Sequence, residues 1–566
     1  MKKSYSYSNV MGIYQDLRNE RSEWEAEWRQ ISDYLLPGRG IYQISSKPRK
    51  RKLTSSKTIN PVAEDAMYVL TSGMHGQLTS PATPWFVLEW ADNKLNDMEE
   101  LKQWLQECNT ILHKDLHESN FYSIINSFYI EYVGFGTGCM YVGEDSDEEA
   151  APFRFELLTA GEYAFSMSST GRPNGLCRTI FMSTRQLVER FPETVSAEAK
   201  KKVASNSAGV DKTDATLVEY VFKGKYMDKP YTRVYYEVSG NSSKSADKEP
   251  LEVSGFYEWP YPIGRWSTIG SDALGIGPGS RALPDIKRLQ EMEKAFLMAT
   301  HKSINPPLNA PARMKGKLNT LPGGHNYYAN PNETVNELYR VNFDYIGVSN
   351  AIERVEGRIK TNFFNDIFLT GSRDPNASPL RTGQVTVQEK EKLHRLGPVV
   401  NRLQHEFLQP VIERCFNINL RKGNFPELSP EMQELVGDYK ITLTSPLALA
   451  QKSAAVDSIN SFFGFLSNVA QFDPSVIDNA DPDAAAREMA NLTGVKMGII
   501  RTQDEVGSIR ETRQKAEAQA RAKEGAMAEA AAVGQSNNDE ATASLTQSQA
   551  GLNMLEGQKL SQELGF

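Results

Sequence analysis

The sequence predicts an α+β protein, and three observations carry that prediction. Long stretches at both ends of the chain repeat their apolar residues with a helical period. Between about residues 150 and 260 the apolar residues gather instead into short aromatic and β-branched runs separated by Gly, Asp and Pro. From about residue 281 two helical stretches flank an irregular insert rich in proline and glycine.

Composition bounds the rest. The 566 residues are 40% hydrophobic and 24% charged. That is enough apolar material for the cores of about three or four domains, or of one multi-part subunit, and too much for wholesale disorder. Acids outnumber bases 71 to 63, a formal charge of −8, which argues against a compact, uniformly basic DNA-binding domain. No uncharged apolar run reaches the roughly 18 residues of a membrane span. The opening MKKSYSYSNV has no apolar stretch behind its lysines and reads as no secretory signal. Cys108, Cys139, Cys177 and Cys415 are far apart, without C-x-x-C. They fit free buried thiols in a reducing compartment rather than a disulfide frame or a zinc ribbon.

In chain order, Trp24, Trp28, Ile31 and Leu35 share one helix face, and Pro37-Gly38 ends that helix. A basic loop follows with Lys47, Arg49, Lys50, Arg51 and Lys52. A second helix is expected over 61–78, a short strand over 85–88, and helix again over about 98–133. Strands are expected at 153–158, 176–182, 217–222, 231–238 and 255–259. Pro284 is expected to open a helix carrying Ile286, Leu289, Met292 and Phe296 and lasting to about Ser303. Residues 304–345 hold five prolines and Gly323-Gly324 and show no helical period. A partner helix over 349–368 carries Ile352, Val355, Ile359, Phe363 and Ile367, with Asn350 and Glu353 resembling a capping box. The apolar stripes of these two helices exceed what a two-helix hairpin buries, so neighbouring copies are expected to cover the remainder. A Gly- and Pro-rich loop at 370–383 precedes a long helix over 384–420, kinked at Pro398 and Pro410. Beyond Ser445-Pro446 the chain is helical again. Residues 516–532 contain nine alanines, and 535–551 is polar low complexity. This tail is expected to be marginal unless neighbouring copies pack it.

Catalytic patterns are sought without success. His113 and His117 sit four apart, but Lys114 stands where H-E-x-x-H requires Glu, so they read as exposed helix histidines. Gly275, Gly277 and Gly279 precede a helix, yet neither the Walker A nor the Rossmann spacing is present, and Pro278 removes an N–H donor. A tight turn feeding the helix is the better reading. The acids at 144, 145 and 147–149 lack EF-hand spacing and read as a solvated turn. No metal, cofactor or catalytic residue is assigned.

Several segments resemble the head-to-tail connector (portal) family of short-tailed bacteriophages. They are WEAEWRQISDYLLPGRG at 24–40, LTSGMHGQLTSPATPWFVL at 70–88, FGTGCM at 135–140 and GEY at 161–163. They continue with YEWPYPIGRW at 257–266, GIGPGSRALPDIKRLQEMEKA at 275–295, TGQVTVQEKEKLHRLGPVVNRLQHEFLQPVIERCF at 382–416 and SPLALAQK at 445–452. Where the family is expected to carry an acid near position 384, this chain has Gln384, and Glu389 comes later.

The resemblance implies a phage portal fold with helical stem, irregular clip, β-containing wing and helical C-terminal crown. Its parts would be a wing at 1–280, stem helices at 281–303 and 346–369, and a clip at 304–345. A channel loop at 370–383, a kinked wing helix at 384–420, a crown at 421–510 and a tail at 511–566 would complete it. It implies no enzyme but a homo-oligomeric ring, usually a dodecamer, at one capsid vertex of the virion, assembled in the host cytoplasm. Double-stranded DNA would pass through it in packaging and ejection, read without regard to sequence. Terminase, tail adaptor proteins, and the major capsid and scaffolding proteins would be partners, and no membrane would be involved. Lys315 and Lys317 would lie in the clip that meets motor or tail, and Arg373 and Arg381 would face DNA from the channel loop. A net acidic chain suits a conduit, because each neutralised phosphate adds counterion-release affinity and hence friction. A structural adaptor or scaffold without DNA passage is the alternative; a nuclease or packaging ATPase is disfavoured by the missing Walker A and metal-ligand patterns.

Overall fold

A computed structural model describes residues 6–40, 57–92, 95, 98–145, 151–206, 210–211, 215–238, 249–327, 330, 334–339, 343–368, 395–428, 438–493, 501 and 503–563. The chain divides into two compact units, Met1–Ala91 with Trp104–Gly494, and Asp92–Gln103 with Val495–Phe566. The α+β expectation holds: helices dominate, and all the strand pairs are antiparallel.

The first unit opens with α1, Tyr7–Tyr34, which begins well before Trp24 because Val10 and Leu17 extend its buried face. Helix α2, Val62–Leu78, starts where the Asn60 side chain accepts the Val62 N–H, with Glu64 and Asp65 at the positive end of the helix dipole. Strand β1, Phe86–Trp90, is followed by α3, Glu99–Glu118, and α4, Phe121–Phe135, which ends at the left-handed Gly136.

The β-rich region contains β2 Thr137–Glu144, β3 Phe153–Leu158, β4 Tyr163–Met167 and β5 Pro173–Met182. Helices α5 Thr184–Arg190 and α6 Ala197–Ala204 follow, then β6 Ala215–Tyr226, β7 Lys229–Glu237, β8 Glu252–Phe256 and β9 Ile263–Arg265. These strands form one sheet in the order β3-β2-β9 and another in the order β4-β5-β6-β7-β8. Alternation along the strands serves two cores. Leu217 and Tyr235 pack with Leu187, Phe191 and Ala199 of the α5–α6 side. Tyr220, Val234 and Tyr236 pack with Val10 and Leu17 of α1.

Next come α7, Pro278–Ile304, and α8, Tyr345–Asn362, which pack side by side. Between them β10, Leu308–Asn309, pairs with β11, Asn336–Glu337. Helix α7 starts earlier than Pro284. Pro278 takes the first-turn position where its missing N–H costs nothing, and Pro284 falls inside the helix. Helix α8 also starts earlier than expected, because the Asp344 carboxylate accepts the Gly347 N–H at 3.0 Å; Asn350 and Glu353 lie within the helix rather than capping it. It ends at Asn362, and a separate turn α9, Asn365–Phe368, follows.

The expected surplus of apolar stripe is corrected by this packing. Ile286, Leu289, Ile352, Val355 and Ile359 are all buried within the single chain. The hairpin is not isolated: α1 and α4 lie on α7, and α2 lies on α8, completing the coverage that two helices lack. Phe296 is half-buried against Phe343 and Tyr345, with ring centroids 5.8 and 6.0 Å away.

The long kinked helix is described from residue 397. It comprises α10 Gly397–Leu403, a π-helical turn Gln404–Leu408 and α11 Gln409–Lys422, closed by Gly423 at φ 72°. Residues 384–394 lie outside the described residues. Pro398 sits in the first turn and kinks nothing, while the wider π turn directly precedes Pro410 and accommodates its missing N–H. Strand β12, Tyr439–Leu443, pairs with β1, Phe86 facing Leu443. Helices α12 Pro446–Val469 and α13 Pro482–Thr493 complete the unit. The four cysteines are buried and unpaired.

The second unit holds one 61-residue helix, α14, Gln503–Glu563. The helix continues through the polar stretch 535–551. The alanines favour helix strongly, and the helix runs on for about 90 Å at 1.5 Å per residue.

Candidate functional site

The α7–α8 hairpin presents the candidate site, and its root explains how it is held. Gly275, Gly277 and Gly279 press against the end of α4: a methyl group on Gly277 would stand 2.6 Å from the Val133 carbonyl oxygen, and methyls on Gly275 and Gly279 would overlap the Gly136 and Gly134 carbonyls. Thr137 Oγ1 accepts the Gly275 N–H at 2.8 Å. The glycines therefore admit protein backbone, which fills the place a phosphate would occupy.

Further along, Gln290 clasps the chain entering α2. Its Oε1 accepts the Ile59 and Asn60 N–H groups at 2.6 and 2.9 Å, and its Nε2 donates to the Asn60 carbonyl at 2.9 Å. Asn60 Nδ2 donates to Glu293 of α7 and Glu356 of α8, at 2.8 and 2.9 Å, and Arg358 pairs with Asp285 across the hairpin at 2.8 Å.

The far half is different. Of the 23 large hydrophobic residues that are exposed among the described residues, ten fall between Leu297 and Ile346. They include Leu297 at 50%, Ile304 at 77% and Ile346 at 75% exposure. Apolar exposure gathered in one segment in this way points to a binding surface. Leu297 and Met298 stand outside the 286–289–296 stripe, and that offset was the sequence signal for them.

At the tip the β10–β11 ribbon ties the ends of the insert, and the Leu338 N–H reaches the Pro307 carbonyl at 2.8 Å. The Asn326 side chain braces one turn: its Oδ1 accepts the Asn319 N–H and its Nδ2 donates to the Asn319 carbonyl, each at 2.7 Å. Lys315 and Lys317 are exposed on either side of Gly316, whose φ is 78°. Arg373 and Arg381 lie outside the described residues.

No catalytic constellation forms among the described residues, and no group of His, Cys, Asp and Glu suited to a metal occurs there. A cleft of about 590 Å³ beside the π turn contains acids, but they are engaged. Arg265 clasps Glu406 at 2.7 and 3.0 Å, and Arg414 bonds Glu258 at 3.2 Å. His113 is a half-buried packing residue rather than an exposed one: its Nε2 lies 3.1 Å from the Phe86 carbonyl, its ring stacks on Phe86, and burial lowers its pKa. His117 remains exposed. Glu144 of the acidic run pairs with Arg421 at 2.8 Å, and residues 146–150 lie outside the described residues. Among the described residues no helix is long and apolar enough to cross a membrane.

Sequence reasoning also missed a bracket at the far end of α8. Arg395 pairs with Asp366 at 3.0 Å and lies over the Phe364 ring, 5.5 Å from its centroid. These groups are 29 and 31 positions apart, and only the fold brings them together.

Comparison with known proteins identifies the family. Residues 8–500 match the family described as bacteriophage head to tail connecting protein. The portal protein of Salmonella phage epsilon15 is 32% identical over 528 residues, 92% of each chain. The probable portal protein of Bordetella phage BPP-1 is 30% identical over 515 residues, 89% of this chain and 90% of that one. A solved structure, the neck of an empty GTA particle computed with C6 symmetry, aligns with 71% of this chain and 86% of its own at 9% identity, with a TM-score of 0.35. With a family match over nearly the whole chain and two relatives at about this length, the chain belongs to the bacteriophage head-to-tail connecting proteins, the portal family.

Proposed function

We propose that copies of this chain close into a ring of twelve at one capsid vertex, and that double-stranded DNA passes through the ring in packaging and in ejection. The supporting observation is the uncovered apolar band on the far half of the α7–α8 hairpin, including Leu297, Met298, Ile304, Tyr345 and Ile346. The root of the same hairpin buries Ile286, Leu289, Ile352, Val355 and Ile359, so the band at its far half calls for a partner. A ring supplies one through a heterologous contact whose rotation closes.

In this reading α7 and α8 are the stem, the Pro-rich insert is the clip, and the β-rich region with α10–α11 is the wing. Lys315 and Lys317 meet the terminase first and tail adaptors later, and major capsid and scaffolding proteins surround the ring. Arg373 and Arg381 touch phosphates without reading bases, which suits a sequence-blind conduit. Negative-stain imaging of the purified protein tests the proposal. Closed rings with a central hole are expected. Stable monomers at all concentrations and salts would overturn the ring, and rings without a hole would leave only a structural adaptor.

A further inference from the structure

The break between α8 and α9 lacks the proline or glycine that usually marks one. Residues 359–368, IKTNFFNDIF, contain neither proline nor glycine. The apolar stripe Ile352, Val355, Ile359, Phe363 and Ile367 keeps its helical spacing through the break. Yet Phe364 adopts φ 54°, a left-handed conformation that the Cβ of an L-residue disfavours and that glycine usually supplies at a helix end. Local preference and tertiary structure disagree here, as they do at strained sites with a role.

Five contacts hold the bent form. The Phe364 ring lies between Trp266, with centroids 6.1 Å apart, and Arg395, 5.5 Å from the ring centroid. Arg395 also pairs with Asp366 at 3.0 Å. The Phe368 ring occupies the place where any side chain at Gly73 of α2 would stand. Asn365 is buried, and its amide nitrogen, in the orientation that satisfies both ends, donates to the Ala66 carbonyl at 2.8 Å.

From this balance we infer that residues 363–368 are a two-state hinge. In one state Phe364 is left-handed and α9 docks on α2. In the other, Phe364 takes helical angles and α8 runs unbroken to Phe368. Phe363 and Ile367 stay on the apolar stripe in the unbroken helix, so the second state keeps much of its burial. Arg395 is the positioning residue that selects the bent state, because it contacts both Phe364 and Asp366. The consequence rests on the connector reading: α9 closes the second stem helix, so the hinge sets how α9 docks on α2 and couples that docking to Arg395 at the root of α10.

Amide hydrogen exchange across residues 363–368 of the full chain tests the hinge. In the bent form the Phe364 and Ile367 amides reach only the i−3 carbonyls of Thr361 and Phe364, whereas an unbroken helix gives residues 364–367 regular i→i−4 partners. Arg395→Ala, a change at a half-exposed site, is expected to slow exchange of residues 365–368 by about tenfold or more. Gly73→Ala, which displaces the Phe368 ring, is expected to do the same. Phe364→Gly removes the strain of the bent form and is expected to leave exchange unchanged or faster. If the bend is fixed architecture, Arg395→Ala only loosens it, and unchanged or faster exchange in that variant overturns the hinge. The measurement requires neither DNA nor a ring, so a negative result leaves the connector reading untouched.

Discussion

The two halves of the α7–α8 hairpin are built to opposite rules. At the root Ile286, Leu289, Ile352 and Ile359 are buried, glycines let backbone meet backbone, and Gln290 and Asn60 satisfy one another's polar groups. Toward the tip Leu297, Ile304, Leu321, Tyr327 and Ile346 stand in the open. The difference teaches where a subunit ends and an assembly begins. The root is a finished core that one chain completes; the tip carries apolar surface that one chain leaves uncovered. Substitutions should therefore report on folding at one end and on association at the other.

The largest effect is expected at the root. Gly277→Ala places a methyl 2.6 Å from the Val133 carbonyl oxygen, with the Gly136 backbone 2.9 Å away, and neither is the end of a side chain that can swing aside. Overpacking of a rigid site typically costs about 1–3 kcal/mol, and backbone on both sides puts this one at the upper end. Chemical denaturation should show a lower midpoint with an unchanged slope. Stability within about 0.5 kcal/mol of wild type would show that the root is looser than the comparison requires.

Next in size is the paired change Leu297→Ser with Ile346→Ser. Both side chains are at least half-exposed, so the isolated subunit should keep its stability within about 0.5 kcal/mol. Each buried Å² of apolar contact is worth about 25 cal/mol, and a ring repeats the loss at every interface. Sedimentation should shift from ring toward monomer. A ring as stable as wild type would place the copy-to-copy contact elsewhere.

Why the root and tip were unequally legible follows from the range of the interactions. Local pattern placed α2 within one residue and β3 to the residue, because periodicity and turn residues act over short spans; it missed the start of α1 at Tyr7 and the break between α3 and α4 at 119–120. The stripes of α7 and α8 were legible too, but their burial was not. It depends on α1, α2 and α4, which approach from more than a hundred residues away in sequence. The pairing of β1 with β12 spans some 350 residues and leaves no mark in either strand alone. GIGPGS was recognisable as a turn, whereas its partner, the glycines at 134 and 136, emerged only from their close approach. At the tip the lack of helical period was legible from proline and glycine, and the side chains left outside α7's stripe already hinted at surface.

The smallest effect on the subunit, and the sharpest test of the tip, is Lys315→Glu with Lys317→Glu. Both lysines are exposed at a turn that Gly316 makes possible, and among the described residues neither forms an ion pair. Exposed charges contribute little to folding, so stability and ring formation should match wild type. Their effect lies between molecules. Lysine is a strongly hydrated point charge on a flexible stem, and charges at an interface rim act chiefly on encounter rate and choice of partner. If the clip receives an acidic face of the packaging motor or a tail protein, charge reversal should slow association and invert its dependence on salt, since screening would now relieve repulsion rather than weaken attraction. Binding kinetics of purified rings with terminase, and then with tail adaptor, across a range of ionic strength measure this directly. Unchanged rates at every salt concentration would remove the two lysines from the docking surface and leave the exposed apolar residues of the tip to carry recognition alone.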